Sequence, residues 1–159
     1  MRSRTSNWFI AKIRYEKTME DGLQKKVTEQ YVVDALSFTE AEARITEEMS
    51  SYISGEFEVW EIDRAVFKEV FFSDGEMDDC WFKAKVQFIT IDEKTEKEKK
   101  TNVYYLVQGA TLEGARKNID EVMGGTMIDY RIAAVSETTI MDVFEYVKQD
   151  SDDKPEYEK

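Results

Sequence analysis

Hydrophobic and polar residues alternate near the start of the chain, and the same alternation returns about seventy residues later. A period of two is typical of a β-strand that turns one face to the core and the other to solvent. We therefore predict a half-buried strand at the start of each half of the chain. The apolar positions of the two strands are Phe9, Ala11, Ile13 and Tyr15, and Phe82, Ala84, Val86 and Phe88.

The two strands belong to an internal repeat. Residues 8–15 (WFIAKIRY) align with residues 81–88 (WFKAKVQF) at a shift of 73 positions, and four of the eight positions are identical. Such self-similarity indicates a duplicated structural unit, which we place at about residues 7–73 and 80–146. Further matches follow in the same order: 31–33 with 105–107, 39–44 (TEAEAR) with 111–116 (TLEGAR), and 70–71 with 143–144.

Each repeat is predicted to contain two strands, a helix and two more strands. In the first repeat, Asp21-Gly22 marks a hairpin turn before a strand from Val27 to Ala35, because glycine accepts a positive φ. In the second repeat, the charged residues 92–100 form a longer hairpin tip before a strand at 102–107. The last two strands are residues 56–63 and 65–72 in the first repeat and 130–135 and 140–147 in the second, where 140–147 could also be a terminal helix.

A helix is predicted in the middle of each repeat. Thr39, with Glu42 three residues later, has the spacing of an N-terminal capping box, and Ser54-Gly55 ends that helix. Gly124-Gly125 favours a left-handed cap at the end of the second helix. The apolar positions at helical spacing are Ala41, Ile45, Met49 and Tyr52 in the first helix, and Leu112, Ala115, Ile119 and Val122 or Met123 in the second.

The predicted fold is α+β, with two tandem ββαββ repeats, pseudo-twofold symmetry, and antiparallel sheets that are each covered by one helix. A single repeat of this size has a marginal core, so we expect the two halves to pack on each other. The predicted domains are the first repeat (1–74), an acidic linker (75–79), the second repeat (80–147) and a disordered acidic tail (148–159).

The composition argues against several classes of protein. The 159 residues include 34 acidic and 22 basic side chains, and the net charge of −12 argues against a coat for duplex DNA. There is no histidine, and Cys80, which we expect to be a free structural thiol, is the one cysteine. The alternating acids at 74–78 lack the glycine and glutamate of a calcium loop. We therefore expect no catalytic residue, cofactor or metal, and a binding protein rather than an enzyme.

The charge is unevenly distributed. Residues 1–30 carry a net charge of +3 and residues 81–105 carry +2, whereas residues 31–80 carry −11. Basic side chains beside aromatic rings on a sheet are typical of proteins that bind single-stranded nucleic acid, because bases stack on the rings and phosphates pair with the cations. This prediction requires solvent-facing tryptophans. The candidate site comprises Trp8 and Trp81 for stacking, and Lys12, Arg14, Lys83 and Lys85 for phosphates.

Other interpretations remain open at this stage. The two tryptophans could instead fill a contact between the halves. The acidic surface of residues 31–80 could bind a basic protein partner, or mimic DNA for one, and two copies of the chain could form a homodimer. An enzyme is the third alternative.

The sequence gives no sign of export or membrane insertion. The first residues lack the apolar stretch of a signal peptide, and no apolar run approaches the roughly 20 residues that cross a bilayer. We expect a cytoplasmic protein with no membrane contact.

The Trp-Phe-x-Ala-Lys opening, the segment from Ser37 to Ala43 and the overall length carry a family resemblance. The chain resembles an uncharacterised family of about this size in gut bacteria, their phages and mobile elements. That family is a domain of unknown function, so the resemblance implies no catalytic or binding residues. It implies the cytoplasm of a bacterium or of a phage-infected cell.

Overall fold

The computed structural model describes residues 1–146, and the predicted tail lies outside them. These residues form an α+β structure with two sheets and two helices. The elements in chain order are β1 (Arg2–Thr5), β2 (Trp8–Thr18), β3 (Gln24–Asp34), α1 (Phe38–Tyr52), β4 (Phe57–Arg64), β5 (Glu69–Phe72), β6 (Cys80–Ile91), β7 (Glu98–Gly109), α2 (Leu112–Gly124), β8 (Tyr130–Glu137) and β9 (Ile140–Phe144).

The first compact unit combines Ser6–Ala65 with the segment that starts at Asp142. Its sheet has the strand order β4-β2-β3-β9, and α1 packs on one face. The core forms where the apolar stripe of the helix meets the inward positions of β2 and β3, as the two periodicities predict. Its fully buried members include Phe9, Ala11, Ile13, Val33, Ala41, Ile45 and Met49.

The second compact unit combines Met1–Thr5 with Val66–Met141. Its sheet has the order β1-β5-β7-β6-β8, and α2 packs on one face. The buried residues of its core include Phe71, Phe82, Ala84, Val86, Val107, Ala115 and Ile119. The predicted bounds of the two repeats describe similarity along the sequence. They therefore stay a prediction.

The prediction of antiparallel sheets is wrong for β5. This strand pairs in parallel with β7, and on its other side β1, a strand we did not predict, pairs with it in antiparallel. Residues 65–68 alone separate β4 from β5, yet the two strands lie in different sheets. The reason is that Val70, Phe71 and Phe72 form an unbroken buried run, which requires cover on both faces of an interior strand.

The last strand of the described chain also leaves its own half: β5 lies in the sheet of the second unit, and β9 lies in the sheet of the first. β9 lies beside β3 in the sheet of the first unit, so the interpretation of 140–147 as a helix is wrong. The Phe144 ring stacks on Tyr31, with 5.7 Å between centroids. The last strand of each half, β5 or β9, therefore completes a sheet built on the hairpin of the other half.

Helix α1 starts two residues before the predicted capping position, whereas α2 starts after Thr111, the residue that we aligned with Thr39. The N-cap of α1 is Ser37, whose hydroxyl accepts a hydrogen bond from the Glu40 amide (3.1 Å), while the Glu40 carboxylate accepts one from the Leu36 amide (3.0 Å). Ser37 and Glu40 thus cap the helix in a variant of the capping box, in which the carboxylate bonds the residue before the N-cap, and the predicted box of Thr39 with Glu42 is wrong. Thr111 caps α2, which aligns the helices at a shift of 74 positions.

The glycine predictions have mixed outcomes. Gly22 has a φ of +83°, which confirms the hairpin turn after Asp21. Gly125 at the end of α2 has a φ of −80°, so the left-handed cap is wrong and the helix ends without a conformation that requires glycine. The tip of the second hairpin is shorter than predicted, because β7 already starts at Glu98.

The two units share local details. β4 and β8 have the same alternation of half-buried and exposed residues, and each has one extra residue, which shifts the register opposite Lys12/Ile13 and Lys85/Val86. At the end of β3, the buried Asp34 carboxylate accepts a hydrogen bond from the Tyr146 amide (2.6 Å). At the end of β7, the Gln108 side chain accepts one from the Ser73 amide (2.9 Å). Each acceptor fixes the chain just after an exchanged strand.

Candidate functional site

The predicted nucleic-acid site is divided between the two units. One set of three residues lies on β2 in the first unit and the other on β6 in the second. The two sets are Trp8, Lys12 and Arg14, and Trp81, Lys83 and Lys85.

Both predicted stacking residues are buried. Trp8 exposes 3% of its surface and Trp81 exposes 4%. The Trp81 ring packs edge to face on Phe72, with 5.6 Å between centroids, and the Trp8 carbonyl accepts a hydrogen bond from the Ala65 amide (2.9 Å). A base stacks on a free ring face, so neither indole is available for stacking in this structure.

The predicted cations are engaged to different degrees. The Lys12 ammonium pairs with Glu61 at 3.1 Å, and the Arg14 guanidinium lies 3.5 Å from the centre of the Trp60 ring. Both contacts use groups that would otherwise meet phosphates. On β6, Lys83 is exposed, with its ammonium 5.5 Å from the Tyr104 ring, and Lys85 is half-buried. Nucleic-acid binding by these residues stays a prediction.

A different surface of the first unit combines aromatic rings with acids, and we did not predict it. β4 is an edge strand of its sheet and pairs with β2. The register shift makes Trp60 the extra residue of a bulge, which re-aims side chains. Trp60 is 51% exposed as a result. In the sequence, the alternation of apolar residues is interrupted between Val59 and Ile62, and this interruption is the signal that predicts a bulge.

A groove of about 270 Å³ runs between the start of α1 and β4. Phe38, the first residue of the helix, and Trp60 both line it and are both about half exposed. Val59 and Ile62 also line the groove, and Glu42 and Glu61 add carboxylates. The N-cap at Ser37 determines where Phe38 lies, so the shifted helix start is what brings this ring to β4.

The charged groups along β4 are acidic, apart from the terminal Arg64. Glu58, Glu61 and Asp63 are exposed, and the carboxyl groups of Glu61 and Asp63 lie close enough to affect each other's pKa. The hydrogen bond from Lys12 lowers the pKa of Glu61, and the interaction with Asp63 adds a smaller effect in the same direction. The interaction with Glu61 raises the pKa of Asp63. Asp63 therefore carries a negative charge that its neighbour disfavours, and an added cation would stabilise it. We call Phe38, Glu42, Glu58, Trp60, Glu61 and Asp63 the β4 surface.

A larger groove, of about 590 Å³, lies beside the first residues of β4. Its charged lining residues have both signs, with Arg14 and Lys26 against Glu16, Glu56 and Glu58. Such a mixture gives the groove no preference for a cationic or an anionic ligand.

Cys80 and the acids near it in the chain contact neighbouring side chains. Burial raises the pKa of the Cys80 thiol, and the bond with Asp79 adds to the effect, which disfavours the nucleophilic thiolate. Within residues 1–146, no group of three or more acidic or cysteine side chains could hold a metal ion. Two of the alternating acids at 74–78 are bonded locally: Asp74 to the amino group of Met1 (2.9 Å), and Asp78 to Ser73.

Neither helix in the described part of the chain is long and apolar enough to cross a membrane.

Comparison with known proteins gives one result. No curated protein and no solved structure matches the chain. Residues 7–146, which include every element from β2 to β9, match the family described as Domain of unknown function (DUF4494). The match covers most of the chain, so the protein belongs to this family.

Proposed function

We propose that this protein is a non-enzymatic binding protein whose β4 surface holds a basic segment of another protein. The observation that carries this proposal is the pair of adjacent carboxylates, Glu61 and Asp63, on an exposed edge strand. One of the two is neutralised by Lys12, and the other lies beside a like charge. A Lys or Arg side chain of a partner would supply the missing cation.

The charge around this pair favours the same partner. Residues 31–80 carry a net charge of −11, and Glu42 and Glu58 are exposed near the pair. Exposed ion pairs contribute little affinity each, but a surface of one sign speeds the encounter with a partner of the opposite sign. A DNA-binding protein has a basic surface of suitable charge. The proposal therefore includes the alternative in which this acidic surface mimics DNA.

Single-stranded nucleic acid is the rival ligand. The β4 surface would repel phosphates, the indoles of Trp8 and Trp81 are buried, and Lys12 and Arg14 already have partners in the first unit. The geometry therefore supports the protein-binding alternative better than our first prediction from the sequence.

The origin and setting of the protein are part of the proposal. The two halves are inferred to be a ββαββ duplication with pseudo-twofold symmetry, supported by the paired bulges in β4 and β8. The family resemblance supports a source among gut bacteria, phages or mobile elements, and a partner met in the cytoplasm.

The test is a titration of three labelled probes with the full-length protein, followed by fluorescence anisotropy at low and high salt. The probes are a lysine-rich peptide, a glutamate-rich peptide of the same length, and single-stranded DNA. We expect the lysine-rich peptide alone to bind, and to bind less at high salt because exposed charges are screened.

Two variants locate the binding site. The double variant Glu58→Gln, Asp63→Asn removes charge from β4 and should weaken binding about threefold or more. Glu137→Gln removes one exposed acid from β8, the equivalent strand of the second unit, and should leave the affinity unchanged. Absence of lysine-peptide binding at low salt would overturn the proposal. Binding of DNA that needs Lys83 and Lys85 would support the rival.

A further inference from the structure

We infer that the groove between Phe38 and Trp60 receives one large apolar side chain from the basic segment that binds the β4 surface. This inference rests on the proposed function. It adds that the partner must carry this apolar side chain, which we call the anchor, beside its basic residues.

The size and lining of the groove fit a single side chain. Its volume of about 270 Å³ is at the lower limit of the roughly 300–1,000 Å³ typical of pockets for small-molecule ligands. Phe38, Val59, Trp60 and Ile62 supply apolar walls, and the exposed Glu42 lies on the rim, where a basic neighbour of the anchor could pair. An apolar floor with a charged rim is the common anatomy of a protein interface.

Both aromatic rings are held in place from behind. Phe38 packs edge to face on the buried Phe9, with 5.0 Å between centroids, and the Arg64 guanidinium lies 5.1 Å from the Phe38 ring. Trp60 is held by Arg14 at 3.5 Å. The rings are therefore ordered before a partner arrives, which lowers the entropic cost of binding, and tryptophan is prominent among residues that dominate interface energies.

The contact with Arg14 also selects the chemistry of the anchor. A guanidinium on one face of Trp60 places a positive charge close to anything on the other face. A second cation there would be repelled, so the ring favours an apolar group. Basic side chains of the partner belong next to the anchor, at the carboxylates.

A separate basic partner fits better than two other occupants. A second copy of the chain would bring a second set of Glu58, Glu61 and Asp63 against the first. The chain's own residues 147–159 include five acidic and three basic side chains, so they carry the wrong charge. The bulge at Trp60 interrupts the regular edge of β4, which disfavours pairing with a long added strand and leaves side-chain insertion as the mode of binding.

The second unit supplies a matched control groove. It has a volume of about 330 Å³, lies between α2 and β8, and is lined by Leu112, Ile132 and Ala133. Leu112 is the first residue of its helix, as Phe38 is in α1, and Ala133 is the bulge residue where β4 has Trp60. This groove lacks both aromatic rings, and its two charged lining residues, Glu113 and Arg116, have opposite signs.

The experiment compares two lysine-rich peptides that differ at one position, where one has leucine and the other serine. Affinities for the full-length protein are measured by calorimetry, with thermal unfolding of every variant as a control for folding. We expect the leucine peptide to bind about tenfold more tightly, in line with a typical interface anchor. Trp60→Ala should reduce its affinity to that of the serine peptide, and Leu112→Ala should have no effect.

The outcomes separate this inference from the proposed function. Equal affinities for the two peptides, or an unchanged preference for leucine in a folded Trp60→Ala protein, would overturn the inference and leave the proposed function in place. Absence of binding by either peptide would overturn both.

Discussion

The backbone of α2 lies close to β7 at Gly109, the last residue of the strand. A Cβ atom added there would lie 3.0 Å from the amide nitrogen of Ala115, 3.1 Å from its Cα and 3.3 Å from its Cβ. Two of these atoms belong to the backbone of α2 and cannot rotate away. We therefore predict that Gly109→Ala destabilises the protein by pushing the helix off the sheet.

The magnitude follows from two opposing terms. Overpacking of a well-packed core costs about 1–3 kcal/mol. Alanine also restricts the unfolded chain, which recovers about 0.4–1 kcal/mol. Taken at the middle of each range, the net loss is about 1–1.5 kcal/mol, which lowers the melting temperature by about 2–6 °C for a chain of this length.

The assay is urea unfolding and calorimetry of Gly109→Ala beside Gly124→Ala. Gly124 is the last residue of α2, and nothing lies within 4 Å of a Cβ added there, so this control should gain about 0.5–1 kcal/mol from helix propensity. A Gly109→Ala protein as stable as the parent would refute the argument, because it would mean that α2 shifts at no cost.

Three further changes test other contacts. Gln108→Leu removes the acceptor of the Ser73 amide bond and should cost about 1–3 kcal/mol in urea unfolding, whereas Gln108→Glu, which keeps an acceptor, should cost less. Burial, with a smaller effect of Glu69, raises the pKa of Tyr105 from 10.0 to about 12, so the unfolded chain loses this proton first and stability should fall between pH 10 and 12. Tyr105→Phe should make melting temperatures less dependent on pH in that range, and an unchanged slope would refute the assignment. Iodoacetamide should alkylate Cys80 more slowly at pH 8 than it alkylates a model thiol, and an equal rate would show that its pKa is not raised.

The order of elements could be read from the sequence because it depends on local periodicity. Alternation identified β2 and β6, and the stripes through Ile45 and Ile119 identified both helices. The exact start of α1 was missed because Ser37 and Thr39 both precede an acid by three residues, so the sequence offers two equivalent capping positions.

Strand pairing could not be predicted because it depends on which sheet can cover an apolar strand. Nothing within residues 65–72 specifies a partner as far away as β7, and Arg2–Thr5 has no apolar alternation from which to predict β1. The candidate site was missed for a related reason. Trp8 and Trp60 are equally aromatic in the sequence, and the bulge and tertiary burial alone determine that Trp60 is the exposed one.

The exchange of β5 and β9 has a consequence for synthesis of the protein. A ribosome makes the chain from the N-terminus at roughly 5–20 residues per second. The second unit has all its strands once Glu137 has emerged, whereas the first waits for Ile140–Phe144. We therefore expect the unit encoded first to finish folding last. Until β9 emerges, β3 is paired with β2 on one side only, and its open edge is the kind that chaperones protect from aggregation.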